Sequence, residues 1–197
     1  MLSERARLYL DRCERYPAVP TADVERILLA GGWPAPAAWL DFHDRYAGYV
    51  ERIYRDTAVW GLAHTESFWF GPLGVEVDSE DDGSLTIYCA ELHPSYGYQL
   101  DSAGRFLGRG LEADSFGVHV ERLALWGAFL DDGPARKEGD QQRLGDPAVR
   151  AELLARLAGH LVPEASDSWF AVYRDGRTLI HDDVRAGRLR TILSRER

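Results

Sequence analysis

Cysteine is scarce in this chain, and the scarcity closes off two chemistries at once. Cys13 and Cys89 are too few for a disulfide framework and too far apart for a metal knuckle. Two reduced thiols fit a cytoplasmic protein, which is the localisation expected. No apolar run approaches the roughly 20 residues that a spanning helix needs, so no membrane association is expected. The N-terminal stretch MLSERARLYLDRCERY breaks its apolar residues with charge, unlike the continuous core of a signal peptide. Catalytic signatures are missing as well: there is no Gly-x-Ser-x-Gly elbow, no His-Glu-x-x-His pair and no Cys-x-x-Cys. The expectation is a protein that is not an enzyme and carries no cofactor and no metal.

Positive charge is absent from one long stretch. Residues 61–100 contain Glu66, Glu76, Asp78, Glu80, Asp81, Asp82 and Glu91 but neither lysine nor arginine. The whole chain has a formal net charge of −9, and most of it is placed there. The last fifty residues run the other way, with arginines outnumbering acids. An acidic total argues against binding the phosphate backbone of nucleic acid, which demands a basic face. It suits a chain that docks on something basic.

What remains is globular material. In 197 residues, 45% are apolar and 28% charged, enough for a folded core and unlike a disordered segment. The spacing predicts a first helix over 3–16 with Leu8, Tyr9 and Cys13 inward, stopped by Pro17 and Pro20. Thr21 is placed as the cap of a second helix, with Val24, Ile27 and Leu28 on one face and Gly31-Gly32 as its end. Pro36 suits the first turn of a third helix running to about Arg55. Trp39, Phe42, Tyr46, Val50 and Ile53 form its buried stripe. His43 lies beside that stripe as a packing residue.

Beyond Thr57 the helical period gives way to a meander. Short strands are expected at Ser67–Phe70, Leu73–Val77, Ser84–Ala90, Tyr96–Leu100 and Arg105–Gly108, with a loop at Asp78–Gly83 and a turn at 101–104. Asp114 or Ser115 caps a helix bearing Phe116, Val120, Leu123 and Leu130. A polar loop spans 131–145, and Asp146-Pro147 opens a helix to about Leu161. Trp169–Tyr173 and Thr178–His181 pair as a hairpin, and the basic tail from Arg185 reads as helical. The fold class expected is α+β, a largely antiparallel sheet of short strands packed against several helices. One domain, 1–197, is expected, with its core over about 21–130, an N-terminal helix and a C-terminal helix-hairpin extension.

Chemistry-bearing groups are sparse. The loop from Asp78 to Gly83 carries oxygens spaced like the start of a calcium loop, but the twelfth position is Cys89 and the flanks read as strands. Gly104, Gly108 and Gly110 match no phosphate-binding pattern. His64 with Glu66, and His181 with Asp182 and Asp183, are histidine–carboxylate neighbours that would serve a small hydrolase if a cleft joined them. The six tryptophans and the tyrosines read mainly as core, although aromatic residues also anchor interfaces.

The run from Ala22 to Gly48, with Gly32, Pro36, Trp39-Leu40, Phe42, Tyr46 and Gly48, resembles the opening of the SUKH superfamily, the Smi/Knr-type proteins. A second stretch, Tyr98-Gln99-Leu100-Asp101, Gly104-Arg105-Phe106 and Ala113-Asp114-Ser115-Phe116, is similar to the family's later motif. Ala47 stands where the family usually has asparagine. The resemblance implies a non-catalytic binding protein, an immunity protein that neutralises a cognate toxin, often a basic nuclease, by stoichiometric binding. A housekeeping scaffold of the same fold is the alternative. Glu76, Asp78, Glu80, Asp81 and Asp82 are the expected partner-binding acids, with Trp69 as a possible anchor.

Overall fold

A computed structural model describes residues 1–53, 56–65, 73–91, 97–108, 112–138 and 140–195. The expected strand at Ser67–Phe70, Trp69, Glu66 and Tyr96 lie outside the described residues. The architecture is mixed α+β, with short strands in three antiparallel sheets. The helices are α1 (Glu4–Arg12), α2 (Thr21–Ala30), α3 (Ala37–Tyr46), α4 (Phe116–Asp131), α5 (Gln141–Gly145) and α6 (Pro147–Arg156). The strands are β1 (Val50–Ile53), β2 (Asp56–Trp60), β3 (Val77–Ser79), β4 (Leu85–Tyr88), β5 (Ala90–Glu91) and β6 (Gln99–Asp101). They continue with β7 (Phe106–Leu107), β8 (Arg136–Lys137), β9 (Phe170–Arg174), β10 (Thr178–Asp183) and β11 (Arg188–Ser194). Contacts gather the chain into two compact units, an internal one of Leu10–Phe116 and a terminal one of Met1–Tyr9 with Gly117–Arg197. No helix among the described residues is long and apolar enough to cross a membrane.

The internal unit holds the sheets β1-β2-β5 and β3-β4-β6-β7. Helix α2 buries Val24 and Leu28 and ends at Gly31, with Gly32 left-handed at φ 80°. Its cap is Pro20, not Thr21, and no side chain caps it. Helix α3 buries Trp39, Phe42 and Tyr46 as the spacing predicts, then stops nine residues short of the expected end. Ala47 turns extended and Gly48 takes φ 87°, so Val50 and Ile53 belong to a strand and not to the helix. A Cβ on Gly48 would lie 2.1 Å from the Tyr16 carbonyl oxygen, so only glycine fits this corner.

Phe116, the first residue of α4, sits at the centre of an aromatic core. Its ring centroid lies 4.7 Å from Phe42, 4.8 Å from Trp60, 5.1 Å from Tyr46 and 5.3 Å from Phe106. Buried Glu51 accepts hydrogen bonds from Trp60 Nε1 at 3.1 Å and the Tyr98 hydroxyl at 3.2 Å. The Trp39 indole donates to the Asp101 carbonyl at 2.7 Å, tying α3 to β6. His43 is a packing residue, as expected. Its Nδ1 accepts from the Leu62 amide at 3.0 Å, which leaves Nε2 protonated to donate to the Val19 carbonyl at 2.8 Å. Burial lowers its pKa and keeps the ring neutral in that role.

The terminal unit is a four-stranded sheet, ordered β8-β11-β10-β9, with helices on both faces. Leu125 and Phe129 of α4 pack on Val172, Leu179 and Leu193, while Leu144, Leu153 and Leu157 pack on Ile180, Leu189 and Ile192. The Asp146 carboxylate accepts from the Ala148 amide at 2.8 Å with Pro147 in the first turn, the predicted start of α6.

Four expectations fail in this part of the chain. The basic tail is strand β11 rather than a helix, its Leu189, Thr191 and Leu193 buried against β10. The polar loop at 131–145 contains β8, paired to Leu193 and Ser194, and helix α5 capped by Asp140. Leu130 is exposed, and Phe129 takes the inward position. Helix α1 buries Ala6 and Leu10, while Leu8 is exposed.

Candidate functional site

Sheet register assigns the expected acids to one surface of the internal unit. Asp78 pairs across from Thr86, and Thr86 from Asp101; Tyr88 pairs with Gln99. Directly opposed residues share a face, so Asp78, Thr86, Tyr88, Gln99 and Asp101 rise together. Glu76 joins them, since its carbonyl accepts from the Tyr88 amide at 3.0 Å. The opposite face carries Val77, Ile87, Leu100 and Phe106, the last three fully buried. One face is thus committed to the core and the other to polar groups.

The acidic loop is shorter than the sequence suggests. Asp78 and Ser79 belong to β3, and the turn is confined to Glu80–Gly83. The Glu80 amide donates to the Ser84 carbonyl at 2.9 Å, Gly83 turns at φ 80°, and the Ser84 amide donates to Asp82 Oδ1 at 2.9 Å. Leu73, expected in a strand, takes a left-handed φ of 59°. Glu80, Asp81 and Asp82 are exposed along this turn, while Glu76 and Asp78 are half-buried on the sheet.

Electrostatics separates these acids into two groups. Burial and the neighbouring Asp78 charge push the Glu76 carboxyl above the usual carboxylate range. Burial, Asp78 and Glu76 raise the Tyr88 phenol, which also donates a hydrogen bond to Asp78. Gln99 Nε2 donates to the Asp78 carboxylate at 2.9 Å. Among the described residues, no cation pairs with Glu76 or Asp78. At the turn, the Ser84 hydroxyl and amide hold Asp82 below its ordinary value. Two carboxylates without a paired cation among the described residues therefore stand beside three exposed ones.

His181 and its carboxylate neighbours do not assemble into a dyad. His181 lies edge-on to Trp126, with ring centroids 5.6 Å apart, and its Nε2 is closed off from water with no partner among the described residues. Burial and the Arg122 charge lower its pKa to about 3. Asp182 projects to the other face of the sheet, where Arg150 grips it through two bonds of 2.6 and 2.8 Å. Asp183 accepts from the Ala186 amide at 2.8 Å. His64 is half-buried beside Gly61, and its companion Glu66 lies outside the described residues. Burial raises the Cys89 thiol well above its ordinary pKa, so it is no nucleophile.

No family model, curated protein or solved structure matches this chain. Among the described residues, no group of three or more His, Cys, Asp or Glu side chains is arranged to hold a metal. The expected acids Glu76 and Asp78 come together as a pair, and Glu80, Asp81 and Asp82 follow along the adjoining turn. Trp69 lies outside the described residues. Sequence reasoning missed Tyr88, Gln99 and Thr86; the alternation of Leu85 and Ile87 with Thr86 and Tyr88 is the signal that marks them.

Proposed function

We propose that this chain is a non-catalytic, protein-binding immunity protein of SUKH type that neutralises a cognate toxin by stoichiometric binding in the cytoplasm. The acidic face of β3, β4 and β6, with the Glu80–Gly83 turn, is the surface offered to a basic partner such as a nuclease. One observation carries the reading. Glu76 and Asp78 repel each other on a sheet face whose opposite side packs Ile87, Leu100 and Phe106 into the core, and no cation among the described residues relieves them. Such an arrangement lowers stability unless a partner supplies the missing positive charge. The motif resemblance at Gly32–Gly48 and Tyr98–Phe116 agrees with it.

The test is genetic. The product of the neighbouring gene is expressed with and without this protein; it should halt growth alone and be tolerated when both are made. A harmless neighbour, or killing that continues when both are produced, overturns the immunity reading.

A further inference from the structure

The acidic face divides into two halves of different chemistry. At the β6 end, Asp101 already holds a guanidinium: Arg105 Nε donates to its carboxylate, and the Ala103 and Arg105 amides complete the shell. At the β3 end, Asp78 is met only by the neutral donors Gln99 and Tyr88, and Glu76 by no hydrogen-bond donor among the described residues. Between the two halves stands Thr86, directly across from both Asp78 and Asp101. It is 5% exposed, and its hydroxyl has no hydrogen-bond partner among the described residues. A buried hydroxyl without a partner is unusual, and this one rises among carboxylates that accept but cannot donate. Tyr88 adds an aromatic surface, leaning on the backbone of Gly97, where a Cβ would come within 3.2 Å of its ring.

We propose that the Glu76–Asp78–Tyr88 end of this face is a guanidinium site that takes an arginine side chain of the partner. Asp78 and Glu76 supply the carboxylates, the Tyr88 ring the stacking surface, and Thr86 a further acceptor. This rests on the reading of the acidic face as the contact surface and names the partner's chemistry. Arginine fits better than lysine, because a planar fork meets a carboxylate through two bonds and stacks on an aromatic ring. The cation charge would relieve the Glu76–Asp78 repulsion. The Asp101–Arg105 pair is the same chemistry satisfied within the chain.

The experiment titrates the full chain with acetyl-Gly-Arg-Gly-amide, followed by NMR, beside matched peptides carrying lysine or citrulline. The arginine peptide should give saturable shifts at Tyr88, Thr86 and Gln99, the lysine peptide should bind about threefold more weakly, and citrulline should give none. Asp78→Asn and Tyr88→Leu should each weaken arginine binding about tenfold, through a lost charge-assisted bond and a lost stack. Replacing Glu80, Asp81 and Asp82 by their amides should change it only about twofold, through screened long-range charge. Shifts confined to the turn, equal binding of citrulline, or no saturable shift at Tyr88 overturn the site. If turn variants abolish protection in cells while arginine never binds at Tyr88, the contact-surface reading stands and this site falls. If arginine binds there but the adjacent gene product is harmless, the site stands and the immunity reading falls.

Discussion

Glu76 and Asp78 face each other's charge on one side of a sheet, and the Asp78 carboxylate is held in place by Gln99 and Tyr88 with no cation among the described residues. The folded chain therefore binds the Glu76 proton more tightly than the unfolded chain does. That contribution favours folding below the unfolded pKa and is lost as pH rises through the folded one. At pH 7 the two charges repel. Asp78→Asn keeps one acceptor oxygen, turns the other position into a donor and removes the repulsion, so it should raise stability at pH 7 by up to about 0.5 kcal/mol. The gain should shrink at pH 3, as Glu76 takes up its proton and the repulsion falls. Urea unfolding midpoints at the two pH values check this, and an equal gain at both would contradict it.

The aromatic core of the internal unit depends on one ring. Phe116 touches Phe42, Tyr46, Trp60 and Phe106, and a truncation leaves a cavity lined by four rigid rings that cannot collapse. Phe116→Ala should cost about 3–5 kcal/mol. Chemical denaturation with tryptophan fluorescence should show the loss, and Phe116→Leu should recover a good part of it.

Gly48 is the position where backbone geometry, not packing volume, forbids change. A Cβ there meets the Tyr16 carbonyl at 2.1 Å on a backbone with φ 87°. Gly48→Ala should cost more than the roughly 1 kcal/mol of an ordinary left-handed position, because the Tyr16–Gly48 hydrogen bond must also give way. Gly83→Ala, at a similar φ with nothing within 4 Å, is the control and should cost only the conformational part.

His181 gives a pH signature of the opposite sign to Glu76. Its folded pKa of about 3 lies below the ordinary histidine value of 6.5, so the unfolded chain takes up its proton first. Stability should be full above about pH 6.5 and fall toward pH 3, with a slope from this group approaching about 1.4 kcal/mol per pH unit. His181→Leu removes that component and should flatten the decline between pH 6 and 4. The lowered His43 retains its own share of the same sign. An unchanged slope in the variant would show that His181 is not sealed under Trp126.

Much of this was legible in the residues. Trp39, Phe42 and Tyr46 declared a helix face by spacing, Asp146-Pro147 declared a helix start, and the hairpin around Asp175-Gly176 was visible from its turn residues. The misses share one cause, which is contact between residues distant in sequence. Val50 and Ile53 continue the helical spacing of α3, and only the approach of Tyr16 to Gly48 breaks it. The tail buries Leu189 and Ile192 on one face of the sheet and Leu193 on the other, but its arginines suggested a solvated helix until β10 supplied a partner strand. Arg136 and Lys137 form a strand only because Leu193 and Ser194 lie beside them. The acids of the candidate site could be counted in advance. Tyr88, Gln99 and Thr86 could be joined to them only through register.

The central claim is that the acidic face of β3, β4 and β6 binds a basic protein. Titration calorimetry of the adjacent gene product, in catalytically inactivated form, against the wild-type chain and a Glu76→Gln/Asp78→Asn variant tests it most directly. A one-to-one complex is expected, weakening with added salt. The double variant should lose about tenfold or more in affinity while remaining folded. Tight binding indifferent to both salt and the double variant would place the contact elsewhere on the molecule and contradict the account.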